Sequence, residues 1–339
     1  MQASIKEVAR LAGVSVATVS NVLNKTKKVR PDTEERVMEA VRKLNYRVNP
    51  LARNLRRGES KIIGFIVSDL SNYYFIDIAR GIENTLRENG YHILIMDSKE
   101  DKMLEIDNIK NLLSRFVDGL IIAPTDEDCS SLHNLLLNDL PIVFVDRQPS
   151  NYEGDVVLST NMDGAHAAVR YLIEQGHSKV GFIGSRFDST MNERIDGYKL
   201  ALQDAGIPVN ESYIRYGSGY SLSVAKQRHG YSYYHMEDLL ENTDITAVFM
   251  GNNISSVGAL MYLREKGIPI PDRMAVITYD DSFWLTMTTP SISAIAQLPE
   301  QMGQEAASLL LKRLQGVDAK NMPYVQKRVP TTMIIRESI

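Results

Sequence analysis

The chain has 339 residues, 44% hydrophobic and 24% charged, with a net charge of −4 and a single cysteine, Cys129. That length exceeds one typical core and implies two or more domains. One cysteine excludes an internal disulfide framework, and no apolar run approaches the ~18 residues of a membrane span.

The opening "MQASIKEVARLAG" lacks the apolar core of a signal peptide, so a cytoplasmic protein with no membrane association is expected. Charge is unevenly spread. Residues 1–60 carry 13 Lys/Arg against 6 Asp/Glu, and the remainder 25 against 36. This asymmetry points to a small module for a polyanion joined to a larger body with another task.

Ser4 and Glu7 form a capping box ahead of Val8, Ala9 and Ala12, which share one helical face. Gly13 ends that helix, and Ser15 can cap a second over 16–24, with Val19, Val22 and Leu23 as its buried stripe. A third helix is expected near 32–44, with Pro31 at its first turn and Val37, Ala40, Val41 and Leu44 on one face. Two short helices joined by about three residues and braced by a third make a helix-turn-helix. The exposed N-terminal turn of the second helix is the part that enters the DNA major groove. Val16 and Ala17 there can contact thymine methyls, and Asn21 can offer its amide to a base edge. Ser15, Thr18 and Ser20 complete the DNA-facing set, Thr18 and Ser20 as phosphate anchors. The competing reading is a packed helical hairpin whose Val16 touches the rest of the chain.

The stretch "IKEVARLAGVSVATVSNVLN…VRPDTEERVMEAVRKLNYRVNPLARNL" resembles, without a gap, the DNA-binding head of the LacI/GalR family of bacterial repressors. The resemblance implies that Val16, Ala17 and Asn21 read bases. Asn21 departs from the Arg or His often found there, which bears on the operator sequence. It also implies a head over 1–48 and a hinge over 49–60 that folds on DNA. In that hinge Leu55 matches a wedge for the minor groove, flanked by Ala52, Arg53 and Arg56.

From residue 61 short apolar runs recur: 62–69, 92–97, 119–124, 141–146, 179–184, 246–251 and 275–280. Helical patterns at 76–89, 103–115, 163–175 and 255–266 separate most of them. Alternating strands and helices imply parallel sheets covered on both faces. The runs fall in two sets broken near 150–165, so two Rossmann-like α/β lobes are expected. In such folds ligands bind beyond the carboxyl ends of strands. The residues there include Ser68-Asp69, Asp97, Asp146-Arg147, Gly184-Ser185, Gly251-Asn252 and Tyr279-Asp280-Asp281. Amide, carboxylate and guanidinium groups suit polyhydroxylated ligands, whose hydroxyls both donate and accept. Any one strand-end Asp is more often a helix cap.

Phosphate-loop, dinucleotide and nucleophile-elbow motifs are missing from the sequence, and its six histidines form no H-E-x-x-H. No enzyme activity, cofactor or metal is therefore expected. His229 and His235 read as surface residues, and of Tyr231, Tyr233 and Tyr234 one could touch ligand while the others pack.

The body, over nearly all of 61–336, is similar to the periplasmic-binding-protein type of fold that LacI/GalR regulators use to clamp an effector. The resemblance implies effector contacts from Tyr74, Phe75, Asp146, Arg147, Thr190, Arg194, Asn252 and Asp280. Tyr220 matches an aromatic lid, although 221–230 is about five residues longer than usual. Asn253 stands where the family usually has Asp, and Thr278 where it has Gly. Phe283 and Trp284 are added beside the pocket, the latter as readily core as ligand stack. The first lobe is expected over 61–160 and 291–322, with a packed helix at 302–316, and the second over 161–290 and 323–339.

Together these imply a homodimeric repressor of carbohydrate-utilisation genes on a pseudo-palindromic operator, gated by a small carbohydrate effector. Arg147 and Arg194 would put two guanidiniums in the cleft, which favours a sugar acid or sugar phosphate unless one braces Asp146 or Asp280. A repressor tuned by a phosphoprotein partner is the alternative, and a solute-binding protein the more distant one.

Overall fold

The structure, a computed structural model, describes residues 3–24, 27–46, 59–130, 132, 140–151, 153–185, 188–217, 230–315 and 322–339. It divides into two compact units at Ser60/Lys61.

The first unit holds three helices: α1 (Ile5–Ala12), α2 (Val16–Asn24) and α3 (Pro31–Lys43). The Ser4–Glu7 capping box closes the start of α1, and Gly13 ends it with a left-handed φ of 63°. Val8, Ala9, Ala12, Val19, Val22, Val37 and Ala40 are buried together. Seven small and β-branched side chains make a thin core, so each helix end needs its own cap to hold the geometry.

The second unit contains two six-stranded sheets. The first lobe carries β1 (Ile62–Val67), β2 (His92–Asp97), β3 (Gly119–Ile122), β4 (Ile142–Val145), β5 (Asp155–Ser159) and β11 (Gln326–Val329), in the order β11-β5-β4-β3-β1-β2. The second carries β6 (Val180–Gly184), β7 (Ile214–Tyr216), β8 (Ala247–Met250), β9 (Ala275–Tyr279), β10 (Ser293–Ala296) and β12 (Thr332–Ile334), in the order β12-β10-β9-β8-β6-β7. All pairings are parallel except β10 with β12. The central strands are buried end to end, as parallel strands covered by helices require.

Helices α4 (Tyr73–Glu88), α5 (Lys102–Ser114) and α10 (Pro299–Gln315) belong to the first lobe. Helices α6 (Asn161–Glu174), α7 (Ser189–Asp204), α8 (Tyr231–Asn242) and α9 (Asn253–Glu265) belong to the second. Helices α4 and α10 cross so closely that a Cβ on Gly81 would sit 2.0 Å from the Glu300 carbonyl oxygen, and one on Gly303 2.1 Å from that of Ile78. Glycine there lets two helix backbones touch over the sheet.

The lobe boundaries differ from expectation. Residues 293–296 pair in the second sheet and 326–329 in the first, so the chain returns to the first lobe after Ala296 and leaves it after Val329. The reason is that "SAIA" and "QKRV" have no long apolar run. Their strand state comes from pairing with neighbours already in place. The three crossings are laced together: Thr331 N–H donates to Thr160 Oγ1 at 3.0 Å, and Ser159 Oγ bonds Gln297. Among the described residues no helix is long and apolar enough to cross a membrane.

Candidate functional site

In the first unit, Ser15 caps α2: its Oγ accepts from Thr18 N–H at 3.1 Å and lies 2.9 Å from the Thr18 hydroxyl. Val16 is half-buried and packs against the small core, whereas Ala17 is exposed. The apolar first turn therefore has two jobs, with Val16 partly turned inward and Ala17 presented outward. Ser20 is held by Asn24, whose Nδ2 donates to the Ser20 carbonyl at 2.9 Å and lies 3.2 Å from its hydroxyl. Asn21 is half-buried on the same helix. Lys27, Lys28 and Arg30 follow as exposed cations. Ala52, Arg53, Leu55 and Arg56 lie outside the described residues.

In the second unit, Tyr74, Phe75, Asp146, Arg147, Thr190, Arg194, Asn252 and Asp280 all line one cavity between the two lobes. Tyr220 lies outside the described residues. The cavity measures about 40 Å³.

From the first lobe, Tyr74 sits in the opening turn of α4, which Asn72 caps. Its hydroxyl donates to Asp146 Oδ1 at 2.8 Å. Burial and the Asp146 charge push that phenol well above its ordinary range. Phe75 is buried with the first-lobe core and lines the cavity with its edge of the helix. Burial also raises Asp146 from 3.8 to about 6, against the pull of Arg147 and Arg194.

Arg147 is not free for a ligand. Its two terminal nitrogens bond Glu100 at 3.0 and 2.9 Å, one also bonds the Pro124 carbonyl at 2.9 Å, and Nε lies 3.4 Å from Asp188. The expectation of two guanidiniums available to an anion is not met, because Glu100 supplies a bidentate carboxylate that local sequence does not reveal. Asp146 lies 3.8 Å from Nε and is the lesser partner.

From the second lobe, Asp188 caps α7 and accepts from the Thr190 hydroxyl at 2.6 Å. Arg194 donates from Nε to Asn161 Oδ1 at 3.0 Å and from Nη1 to the Gly251 carbonyl at 2.8 Å. Its guanidinium lies 3.7 Å from the Tyr279 ring centre, a cation–π stack that fixes its plane. Burial alone would lower this guanidinium, but Asp280, Tyr279 and Asp146 outweigh it and raise it. Asn252 caps α9 through Ser255 N–H at 2.8 Å and donates from Nδ2 to Ser185 Oγ at 3.0 Å. Asp280 accepts from Asn253 N–H at 3.1 Å and from the Gln297 amide at 2.5 Å.

Asp69 and Asp97, also at strand ends, receive backbone N–H groups of their own turns, as the capping reading of such residues holds. The cavity further includes Asn253, which the sequence marks as standing in place of the usual Asp, and Glu100, Asp188 and Gln297, which sequence reading passed over. Asp188 was detectable as a cap before α7. Glu100 and Gln297 carry no local signal, because only the fold brings them in. Trp284 packs partly against the second-lobe core and, with Phe283, lines a groove of about 1340 Å³ that adjoins the cavity and shares Asn72, Tyr74, Asn253, Asp280 and Gln297 with it.

The comparisons with known proteins agree with this geometry. Residues 4–49 match the model of "Bacterial regulatory proteins, lacI family", and residues 169–339 that of a "Periplasmic binding protein-like domain". The "HTH-type transcriptional repressor PurR" of Haemophilus influenzae (strain PittEE) is 33% identical over 340 residues, covering 99% of this chain and 98% of that protein. The chain belongs to the lacI family of bacterial regulatory proteins. As such it is a DNA-binding transcriptional repressor, with helix α2 in the helix-turn-helix of the matched head. The body of this lacI-family chain also resembles solved relatives. A structure described as "transcriptional regulator CelR-cellobiose complex" is 27% identical with a TM-score of 0.73, covering 99% of this chain and all of that one. The lac repressor dimer bound to operator and the anti-inducer ONPF shares the fold, at TM-score 0.85 and 23% identity over 100% of this chain and 99% of that one.

Proposed function

We propose that this repressor works in the cytoplasm as a homodimer on a pseudo-palindromic operator of carbohydrate-utilisation genes, and that a small uncharged, hydroxyl-rich molecule held between the lobes sets its DNA affinity. The observation that carries the effector class is the make-up of the cavity wall. Four carboxylates (Glu100, Asp146, Asp188 and Asp280) face two guanidiniums, both already bonded within the protein. Such a wall repels an anion and rewards a ligand that donates hydrogen bonds. A neutral sugar fits this better than the sugar acid or sugar phosphate favoured by the sequence. The cellobiose in the CelR complex supports the same class.

In this reading Ser15, Val16, Ala17, Thr18, Ser20 and Asn21 meet DNA, with Ala52, Arg53, Leu55 and Arg56 in the hinge. Tyr74, Phe75, Asp146, Thr190, Arg194, Asn252 and Asp280 hold the effector, with Arg147 bracing the wall and Tyr220 as a further effector contact. The carboxylates and hydroxyls act as caps, ion pairs and ligand acceptors, so no reaction is assigned to them. A second copy would cover the face bearing Tyr73, Phe283 and Met287, which are 62%, 60% and 76% exposed. Area of that kind on one side suits a self-complementary contact.

Calorimetry of the protein against neutral sugars, sugar acids and sugar phosphates tests the effector class. Saturable binding of a neutral sugar, lost in Asp280→Ala, is expected. Tight binding confined to the anionic members would overturn it.

A further inference from the structure

Asn72 and Asn253 line both this cavity and the groove beside it, and their side chains are bonded across the two lobes. What holds the lobes together bears on how an effector is admitted between them. We propose that Asn72 and Asn253 form a clasp between the lobes that sets how readily the cleft opens. This consequence rests on the effector reading above, whereas the clasp itself does not.

Asn72 caps the first-lobe helix α4, its Oδ1 accepting from Tyr74 N–H at 3.2 Å. Asn253 begins the second-lobe helix α9, and its Nδ2 donates to the same Asn72 oxygen at 2.8 Å. The start of one lobe's helix is thus joined to the start of the other's by a bond between two buried side chains, 7% and 6% exposed. The amide orientations are fixed. The unpaired N–H of Tyr74 demands an oxygen from Asn72, so Asn253 must supply the donor. Its main-chain N–H already points at the Asp280 carboxylate. Position 253 therefore lies between two acceptors, and an amide fits there where a carboxylate would meet oxygen on both sides.

A second contact flanks the first. Tyr73 and Phe283, one from each lobe, meet edge to face with ring centres 5.7 Å apart. On the far side of the cavity, Gln148 N–H donates to Ser189 Oγ at 2.9 Å and Arg147 approaches Asp188. The clasp at Asn72–Asn253 is the buried neutral member of this set. Its removal leaves no charge unpaired, unlike that of the Arg147–Asp188 contact.

The test measures the distance between the lobes in the full-length protein, free of DNA and sugar. Spin labels go on Lys110→Cys in α5 and Glu241→Cys in α8, both exposed, while the native Cys129 is buried. Labelled protomers are diluted into unlabelled protein, so that only distances within one chain are read. Asn253→Ala keeps its backbone bond to Asp280 and is expected to lower the closed-to-open ratio about fivefold, the effect of one lost hydrogen bond. Asn253→Asp should open the lobes at least as far. Asn72→Asp still caps Tyr74 and still accepts from Asn253, so it should keep the wild-type distribution. If Asn253→Ala does not fold, Asn253→Asp against Asn72→Asp gives the same contrast. Wild-type distances in both Asn253 variants, or equal opening in Asn72→Asp, would overturn the clasp. Neither result bears on the sugar titration, which alone decides the effector reading.

Discussion

Asp146 and Asp280 occupy the same place in the two lobes. Each follows the fourth strand of its lobe in chain order, and each has a left-handed backbone, with φ of 74° and 73°. Each turns a carboxylate to the cavity, where Tyr74 donates to one and Gln297 to the other. Aspartate tolerates this conformation better than most residues, yet two non-glycine positions here mark geometry kept for the site.

Replacing Asp280 therefore has two separable effects. Asp280→Ala should destabilise the protein by about 1–3 kcal/mol, from the strained backbone and the unpaired Asn253 N–H. Asp280→Asn should recover most of that stability, since Asn accepts the same backbone and can bond the same donor. Urea unfolding of both variants checks this, and equal losses would show that the carboxylate charge, not the backbone, dominates.

The raised Asp146 gives a direction for pH. Its folded value of about 6 exceeds the ordinary 3.8. Between roughly those values the folded chain holds a proton that the unfolded chain has released, so this residue's contribution to stability falls as pH rises through that window. The facing charged groups are Arg147, Arg194 and Asp188. A sugar hydroxyl donating to Asp146 is held more strongly by the ionised form, so sugar affinity should rise between pH 5 and pH 7 with release of a proton. Calorimetry in buffers of different ionisation enthalpy reads that proton. Asp146→Asn should flatten the profile.

Arg147 is expected to matter for folding more than for ligand charge. Arg147→Ala leaves Glu100 and Asp188 facing each other without their shared cation. Breaking a buried pair from one side costs about 3 kcal/mol. Thermal or urea unfolding should show this loss, whereas Glu100→Gln with Arg147→Met should recover part of it. An unchanged Arg147→Ala would remove the ion pair from the framework.

On the DNA side, Ser15→Ala should lower head stability by about 1 kcal/mol through the lost cap on α2. Substitution of the exposed Ala17 should leave stability alone and change which sites are bound. Val16→Ala should do some of both, as its half-buried position requires. Unfolding curves paired with gel shifts on a site panel separate the three.

Much of this molecule is legible in its sequence because its strongest signals are local. The capping box at Ser4, the stripe of α2 and the apolar central strands need only neighbours in the chain. Strand ends aimed at one cleft follow from alternating α and β elements. What sequence could not show is pairing over distance. Glu100 meets Arg147 across 47 residues, and Asn72 meets Asn253 across 181. Strands β11 and β12 hide for the same reason: their partners, not their own residues, make them strands. The case for an anionic effector rested on such a pairing being unseen, since a guanidinium looks free until its carboxylate is found.

The most direct test of the repressor reading is selection of bound duplexes from a random-sequence DNA pool by the purified protein, followed by affinity measurements at increasing salt. The predicted result is one enriched pseudo-palindrome, with two half-sites matching two heads and a steep fall in affinity with salt as phosphate counterions are released. Adding the neutral sugar found by calorimetry should shift that affinity. No enriched sequence, or binding indifferent to salt, would contradict it.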